Sequence, residues 1–323
     1  MEQKYYAAVD IGGTNTACGI VDACGRVIAR SSFPTWSRPC IADFVDTLHD
    51  TVADLYRRTE STISVSAIGI CAPNVDLRGT VTLCENLPWQ PPVPLARLVR
   101  ERFGLPVATA NDANAAALGE MRFGAARGLT DFITITLGTG VGSGIVAGGR
   151  LLTGARGLAG ELGHVRVPDN DGRLCGCGRR GCLEAYCSAT GLARTARKML
   201  EAEPRRHSAL RGIDPERLTS RDVFLAAQNG DTLAAEIFEY TGGILGSALA
   251  DFVTFSDPQA FVIFGGLARS GELLMRPVRE AFRRNIMPMW SPGDIAILPS
   301  GLPEGDAALL GAAALALGPD DGE

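Results

Sequence analysis

Two stretches of this chain, 126 residues apart, open with the same pattern. Val9-Asp10-Ile11-Gly12 lies over Ile135-Thr136-Leu137-Gly138. Each ends an apolar run in a glycine turn and continues into a second strand, another turn and a third strand. The first copy runs from Tyr5 to Arg30, with Gly12-Gly13 at its turn and a second strand near Ala17 to Val21. The second runs from Asp131 to Thr153, with strands at Ile133 to Thr136, Gly144 to Ala147 and Arg150 to Leu152. A strand, glycine turn and hairpin repeated at this spacing predicts two related halves facing one cleft. Chance recurrence of a common hairpin is the competing explanation. The length of 323 residues fits two domains at roughly 150 residues each.

Between and after the two copies, strands alternate with helices. Helical spacing of apolar residues marks Asp43 to Thr59, Leu95 to Phe103, Ala113 to Phe123, Ser188 to Glu201, Asp222 to Asn229, Thr232 to Phe255, Glu272 to Asn285 and Asp306 to Leu317. Ser66 to Ala72, Val107 to Ala110, Gln259 to Phe264 and Asp294 to Leu298 read as strands. Ala202 to Thr219 reads as a loop with short helical pieces. The alternation implies an α/β architecture. A domain boundary is expected within Gly119 to Leu129.

Composition narrows the function. Hydrophobic residues make up 46% and charged residues 21%, an ordinary globular balance. Lysines and arginines number 31 against 36 acids, so no basic excess is present to attract a nucleic acid or an anionic membrane. No run reaches the roughly 18 apolar residues of a membrane span. The N-terminus shows no signal-peptide pattern. Nine cysteines without an export signal imply a reducing cytoplasm, where thiols bind metal or sit in cores.

The glycine turns suit phosphate. Gly12 and Gly13 let backbone N–H groups approach an anion that a Cβ would keep away, and Thr14 and Asn15 add side-chain donors. Gly138, Thr139 and Gly140 offer the same concavity. The second turn is not a dinucleotide fingerprint, because its glycines alternate and lead into a strand. It is not a Walker A loop, because no Gly-Lys-Ser/Thr closes it. Asp10 ends a strand at the first turn. It either caps that turn or orients Mg²⁺ or its waters beside phosphate. Gly265-Gly266 follows the strand Phe261 to Phe264, either as a plain strand end or as backbone against which a nucleoside lies.

His164 is one of only three histidines, and Cys175, Cys177 and Cys182 follow within eighteen residues. Four soft ligands at this density suit tetrahedral Zn²⁺. With four protein ligands no position stays open, so the metal is expected to be structural. Asn111-Asp112 stands where a strand meets a helix. It either caps the helix or points a carboxylate into the ligand crevice at the strand's carboxyl end. Glu161 and Glu184 flank the cysteine loop, as acceptors for a polyol or as surface salt-bridge partners.

Together these motifs resemble the ROK family, especially its bacterial glucokinase-like members. The resemblance rests on D-I-G-G-T at Asp10, N-D-A-N at Asn111, L-G-T-G-V-G at Leu137, G-E-L-G-H at Gly160, C-G-C-G-R-R-G-C-L-E at Cys175 and F-G-G at Phe264. It implies the two-domain actin/hexokinase-like ATPase fold with a cleft between the domains. Residues 1–120 plus 303–323 are expected to form the smaller domain, with a returning C-terminal helix, and 121–302 the larger one. It also implies ATP-dependent phosphorylation of a hexose at its primary hydroxyl, with glucose leading and N-acetylmannosamine, N-acetylglucosamine, allose or fructose behind. Asp112 would be the base. Asn111, Glu161, His164 and Glu184 would contact the sugar, as would Asn86 in the loop Asn86-Leu87-Pro88-Trp89. His164, Cys175, Cys177 and Cys182 would hold zinc. Asp10, Gly12, Gly13, Thr14, Asn15, Gly138, Thr139, Gly140, Gly265 and Gly266 would cradle ATP with Mg²⁺. Ala72-Pro73-Asn74 departs from the proline–glycine common in the family, which bears on the identity of the hexose. A cytoplasmic homo-oligomer, dimer or tetramer, acting in glycolysis is expected, with no nucleic-acid or membrane partner. A sugar-responsive repressor of the family would need a helix-turn-helix domain ahead of Asp10, where only nine residues stand. A catalytically silent sugar sensor is the remaining alternative.

Overall fold

The computed structural model describes residues 4–59, 64–167, 172–291, 293–303 and 305–318. Ten strands and nine α-helices run along these residues. The chain divides into two compact units. The first comprises residues 1–129, 144–159 and 301–323; the second comprises 130–143 and 160–300.

The first unit is built on a five-stranded sheet. Its strands are β1 (Lys4–Ile11), β2 (Asn15–Asp22), β3 (Val27–Pro34), β4 (Ser64–Cys71) and β5 (Val107–Ala110). The order is β3-β2-β1-β4-β5. The three N-terminal strands form an antiparallel meander, and β4 and β5 join in parallel. The apolar run in β1 is buried on both faces, with Ala7, Ala8 and Val9 fully inaccessible. Helices cover those faces. Helix α1 (Ile41–Arg58) buries Phe44, Val45, Leu48, Val52 and Leu55, the stripe its sequence spacing requires. Helix α2 (Leu95–Phe103) packs beside it and ends at Gly104 in the left-handed conformation. Helix α3 (Asp112–Phe123) follows β5, and α9 (Ala307–Leu317) returns to pack on β1, β4 and α3. The approach of α9 is close: a Cβ at Gly69 would overlap the Ala312 carbonyl.

The second sheet has the order β10-β9-β6-β7-β8. Its strands are β6 (Phe132–Leu137), β7 (Val141–Ala147), β8 (Arg150–Leu151), β9 (Ala260–Phe264) and β10 (Ala296–Pro299). Strand β7 starts at Val141, earlier than the glycine-rich spacing suggests, because the bond from Gly138 N–H to the Gly140 carbonyl (3.0 Å) closes the turn within three residues. Helices α4 (Glu184–Cys187), α5 (Ala189–Ala202), α6 (Ser220–Gln228), α7 (Thr232–Ser256) and α8 (Glu272–Asn285) belong to the second unit. The segment between α5 and α6 is irregular apart from 3-10 turns at Ala209–Gly212 and Pro215–Arg217. Among the described residues no helix is long and apolar enough to cross a membrane.

Candidate active site

In the first unit the parallel strands β1, β4 and β5 bring their carboxyl ends together. Ligands bind at such ends because the loops there are free to diverge from the packed strands. Asp10 lies one residue before the end of β1, in register with Cys71 of β4. Asp112 opens α3 just beyond β5. Asn111 caps that helix, its side-chain oxygen accepting from Asn114 N–H at 2.8 Å. The cap fixes the peptide that carries Asp112.

Both carboxyls are hard to ionise. Burial pushes Asp10 up to about 6, and the charge of Asp112 adds to the effect. Asp112 keeps solvent access, yet desolvation by surrounding protein raises it above the usual carboxylate range. No side chain or backbone group donates to Asp10 among the described residues. An under-solvated carboxylate with open lone pairs suits a hard divalent cation or its waters.

The turn after Asp10 is braced from below. Gly12 N–H bonds the Asn15 carbonyl at 3.1 Å, and Thr35 Oγ1 donates to the Gly12 carbonyl at 2.8 Å. Thr35 N–H bonds the Thr14 carbonyl, and Thr35 and Thr16 hydroxyls meet at 2.9 Å, both fully buried. Asn86 seats directly on the turn: a Cβ at Gly13 would stand 3.2 Å from both Cβ and O of Asn86. The Asn86 loop is anchored by Trp89, whose indole packs edge-on against Phe44 and donates to the Arg38 carbonyl.

The second unit repeats the theme with other supports. The Gly138 carbonyl accepts from Ala189 N–H, and the Thr139 carbonyl from Thr190 Oγ1, so the start of α5 holds the turn. Glu184 Oε2 accepts from Val141 N–H at 3.0 Å, and Cys175 Sγ donates to Glu184 Oε1 at 3.3 Å. One carboxylate thus ties the glycine turn to the cysteine loop. Gly265 has φ +105°, and a Cβ there would stand 2.6 Å from the Leu137 carbonyl. Its lack of a side chain serves strand packing, whereas the space over Gly138 and Gly266 is open.

The ligand atoms of His164, Cys175, Cys177 and Cys182 all lie within 4.8 Å of one another. Nδ1 of His164 is 3.7 Å from Cys175 Sγ, and Cys177 Sγ is 3.7 Å from Cys182 Sγ. Tetrahedral ligands on zinc, with Zn–S about 2.3 Å and Zn–N about 2.0–2.1 Å, stand roughly 3.6–3.8 Å apart. The four residues therefore fit the ion with a small contraction. Burial raises the Cys175 and Cys182 thiols, while the Arg179 backbone N–H lowers Cys177. The opposite ring nitrogen, Nε2 of His164, faces Glu161 Oε2 at 4.0 Å.

The sequence-derived residues thus fall into two sets. Asp10, Gly12, Gly13, Thr14, Asn15, Asn86, Asn111 and Asp112 belong to the first unit. Gly138, Thr139, Gly140, Glu161, His164, the three cysteines, Glu184, Gly265 and Gly266 belong to the second. Three supporting residues were not legible. Thr16 directly follows the first glycine turn and Thr35 lies just past β3, yet no spacing rule pairs their hydroxyls. Arg173 buries its guanidinium 4.4 Å over the Tyr186 ring and donates to Ala185 O, Gly191 O and Thr195 Oγ1, fastening the cysteine loop to α4 and α5. Asn74 takes φ +52°, a conformation asparagine tolerates better than most residues with a Cβ.

Comparison with known proteins places these sets in context. The ROK family model matches residues 6–318. A glucokinase from Streptomyces coelicolor is 37% identical over 320 residues, 97% of each chain. An N-acetylmannosamine kinase from Escherichia coli is 32% identical over 318 residues, covering 96% of this chain and 98% of its own. A crystal structure of a ROK family glucokinase from Streptomyces griseus, in complex with glucose and AMPPNP, superposes with a TM-score of 0.78 at 40% identity. It covers 97% of this chain and 99% of its own.

Proposed function

The chain belongs to the ROK family, and from that premise we propose that it is an ATP-dependent hexose kinase that phosphorylates the sugar's primary hydroxyl, with glucose as its first substrate. The observation that carries the reading is Asp112. It stands at the carboxyl end of β5 on a capped helix start, accessible to solvent, with its carboxyl raised by desolvation. A raised carboxylate is a stronger base, closer to the pKa that serves proton transfer at neutral pH.

In this reading Asp112 takes the proton of the hexose hydroxyl. The hydroxyl oxygen then forms its bond to the γ-phosphorus of ATP as the bond to the bridging oxygen breaks and ADP leaves. Backbone N–H groups of the Gly12–Gly13 and Gly138–Gly140 turns bind the phosphates. Mg²⁺, oriented from the side of Asp10, would offset phosphate charge. Asn86, Asn111, Glu161, His164 and Glu184 are the residues proposed to hold the hexose. Zinc on His164, Cys175, Cys177 and Cys182 would be structural, keeping the loop and the His164 ring in place.

Another hexose is the second reading, favoured by the exposed, left-handed Asn74 in the loop after β4, between the strands that carry Asp10 and Asp112. A panel of hexoses with Mg-ATP, scored by ADP formed, decides between substrates. Asp112→Asn is expected to keep hexose binding and to lower turnover by about 10²–10⁴-fold; near-normal turnover rejects Asp112 as the base. The enzyme is further proposed to act in the cytoplasm, at the entry of glucose into glycolysis.

A further inference from the structure

Strand β3 stops at Pro34, the last residue in its register with β2. The chain then closes one 3-10 turn, Thr35–Ser37, with Arg38 N–H donating to the Thr35 carbonyl at 3.2 Å. Neighbours in this turn have opposite fates: Trp36 is largely exposed, whereas Thr35 is fully buried. A buried hydroxyl needs partners, and this one has two. Thr35 Oγ1 donates to the Gly12 carbonyl at 2.8 Å and stands 2.9 Å from Thr16 Oγ1, which is also fully buried. A hydroxyl carries one proton. With that of Thr35 committed to Gly12, the Thr16 hydroxyl donates the bond between the two threonines. The relay therefore runs from Thr16 through Thr35 to the glycine turn.

Two adjacent glycines give a turn little stiffness of its own, so its shape must be set from outside. The Gly12 carbonyl shares a peptide plane with the Gly13 N–H. Among the described residues the one cis peptide bond is Pro91–Pro92, so these two groups point in opposite directions. Drawing the carbonyl towards Thr35 turns the Gly13 N–H away from the threonine pair. Thr35 N–H also holds the Thr14 carbonyl, at 2.9 Å. One residue thus grips the turn at Gly12 and again at Thr14. The same segment meets the loop of Asn86, because Trp89 Nε1 donates to the Arg38 carbonyl and Asn86 seats against Gly13.

We propose that Thr35 is a positioning residue for the nucleotide: its hydroxyl and its N–H hold the Gly12–Thr14 turn in the shape that receives a phosphate of ATP. The proposal rests on the kinase reading above and adds a residue to it. Being fully buried, Thr35 acts only through the turn.

Calorimetric titration of the full chain with Mg-AMPPNP tests the proposal. Thr35→Val keeps the shape and deletes the hydroxyl, and it is expected to bind Mg-AMPPNP about tenfold more weakly. Thr35→Ser restores the hydroxyl and is expected to bind within about twofold of wild type. Thr16→Val deletes the neighbouring buried hydroxyl but leaves Thr35 free to donate to Gly12. It should melt below wild type and still bind Mg-AMPPNP within about twofold. Hydrogen exchange on the wild type answers the question even if Thr35→Val cannot fold: the Thr35 amide, bonded to the Thr14 carbonyl, is expected to gain protection when Mg-AMPPNP binds. Equal affinity of Thr35→Val and wild type overturns the proposal and leaves the kinase reading intact. So does a Thr35→Ser variant as weak as Thr35→Val, a Thr16→Val loss as large as that of Thr35→Val, or an unchanged Thr35 amide. A wild type that binds no Mg-AMPPNP rejects the kinase reading and this proposal with it.

Discussion

Asp10 is a carboxylate held where the fold disfavours its charge, and replacing it with asparagine exposes that conflict. Its carboxyl is pushed from 3.8 to about 6 by burial, with the charge of Asp112 adding to it. The native state therefore binds this proton more tightly than the unfolded chain. Between pH 3.8 and about 6 the native state holds the extra proton, so stability falls as pH rises through that window and stays low above it. Each tenfold in proton affinity is worth about 1.4 kcal/mol, so ionised Asp10 costs about 3 kcal/mol of folding free energy at pH 7. Asp10→Asn keeps the shape and removes the charge. Without nucleotide, the variant should melt higher than wild type at pH 7, by roughly 6–12 °C at about 2–4 °C per kcal/mol. The gain should shrink as pH falls and vanish near pH 4, where Asp10 is itself neutral. Differential scanning calorimetry across that range provides the measurement. A variant that melts below wild type at pH 7, or keeps its full gain at pH 4, refutes the reasoning. Mg-ATP should reverse the order, stabilising wild type more than Asp10→Asn, because the charge that strains the free protein would then face a cation.

Other consequences are open to direct measurement. Gly265→Ala forces a Cβ at φ +105° towards the Leu137 carbonyl and should destabilise the second unit by about 2–4 kcal/mol, read by urea denaturation. Gly13→Ala adds a methyl group 3.2 Å from Asn86 at a glycine outside the positive-φ set. It should leave the melting temperature nearly unchanged while weakening hexose binding several-fold, about 1 kcal/mol, by calorimetric titration. Freshly purified protein should carry about one zinc per chain on its four ligands. Cys177→Ser should lower both metal content, by elemental analysis, and the melting temperature; a fully loaded variant would exclude Cys177 as a ligand.

Much of the architecture follows from local text. Leu95–Phe103, Val107–Ala110 and Glu272–Asn285 fall where apolar spacing, a left-handed glycine and a charged last turn put them. The Cys–His cluster was legible because its ligands crowd into a short glycine-rich stretch. Other features depend on contacts far along the chain. Asn86 meets Gly13 across 73 residues, and Glu184 meets Val141 across 43. No spacing rule connects such pairs. Glu184 reads as a free acceptor in the sequence, yet both its oxygens are engaged within the unit. Asn111 was open to two readings; its side-chain oxygen caps α3, and the capped peptide delivers Asp112.

The bond from the Cys175 thiol to Glu184 has a consequence in protons. A thiol can donate to the acid; a thiolate cannot. Any cation that claims this sulfur drives off its hydrogen and returns a lone pair to Glu184, which then has an oxygen to offer an incoming hydroxyl. While the sulfur stays protonated, that oxygen is occupied at home. Loading the loop would in this way prepare an acceptor in a residue that never touches the ion.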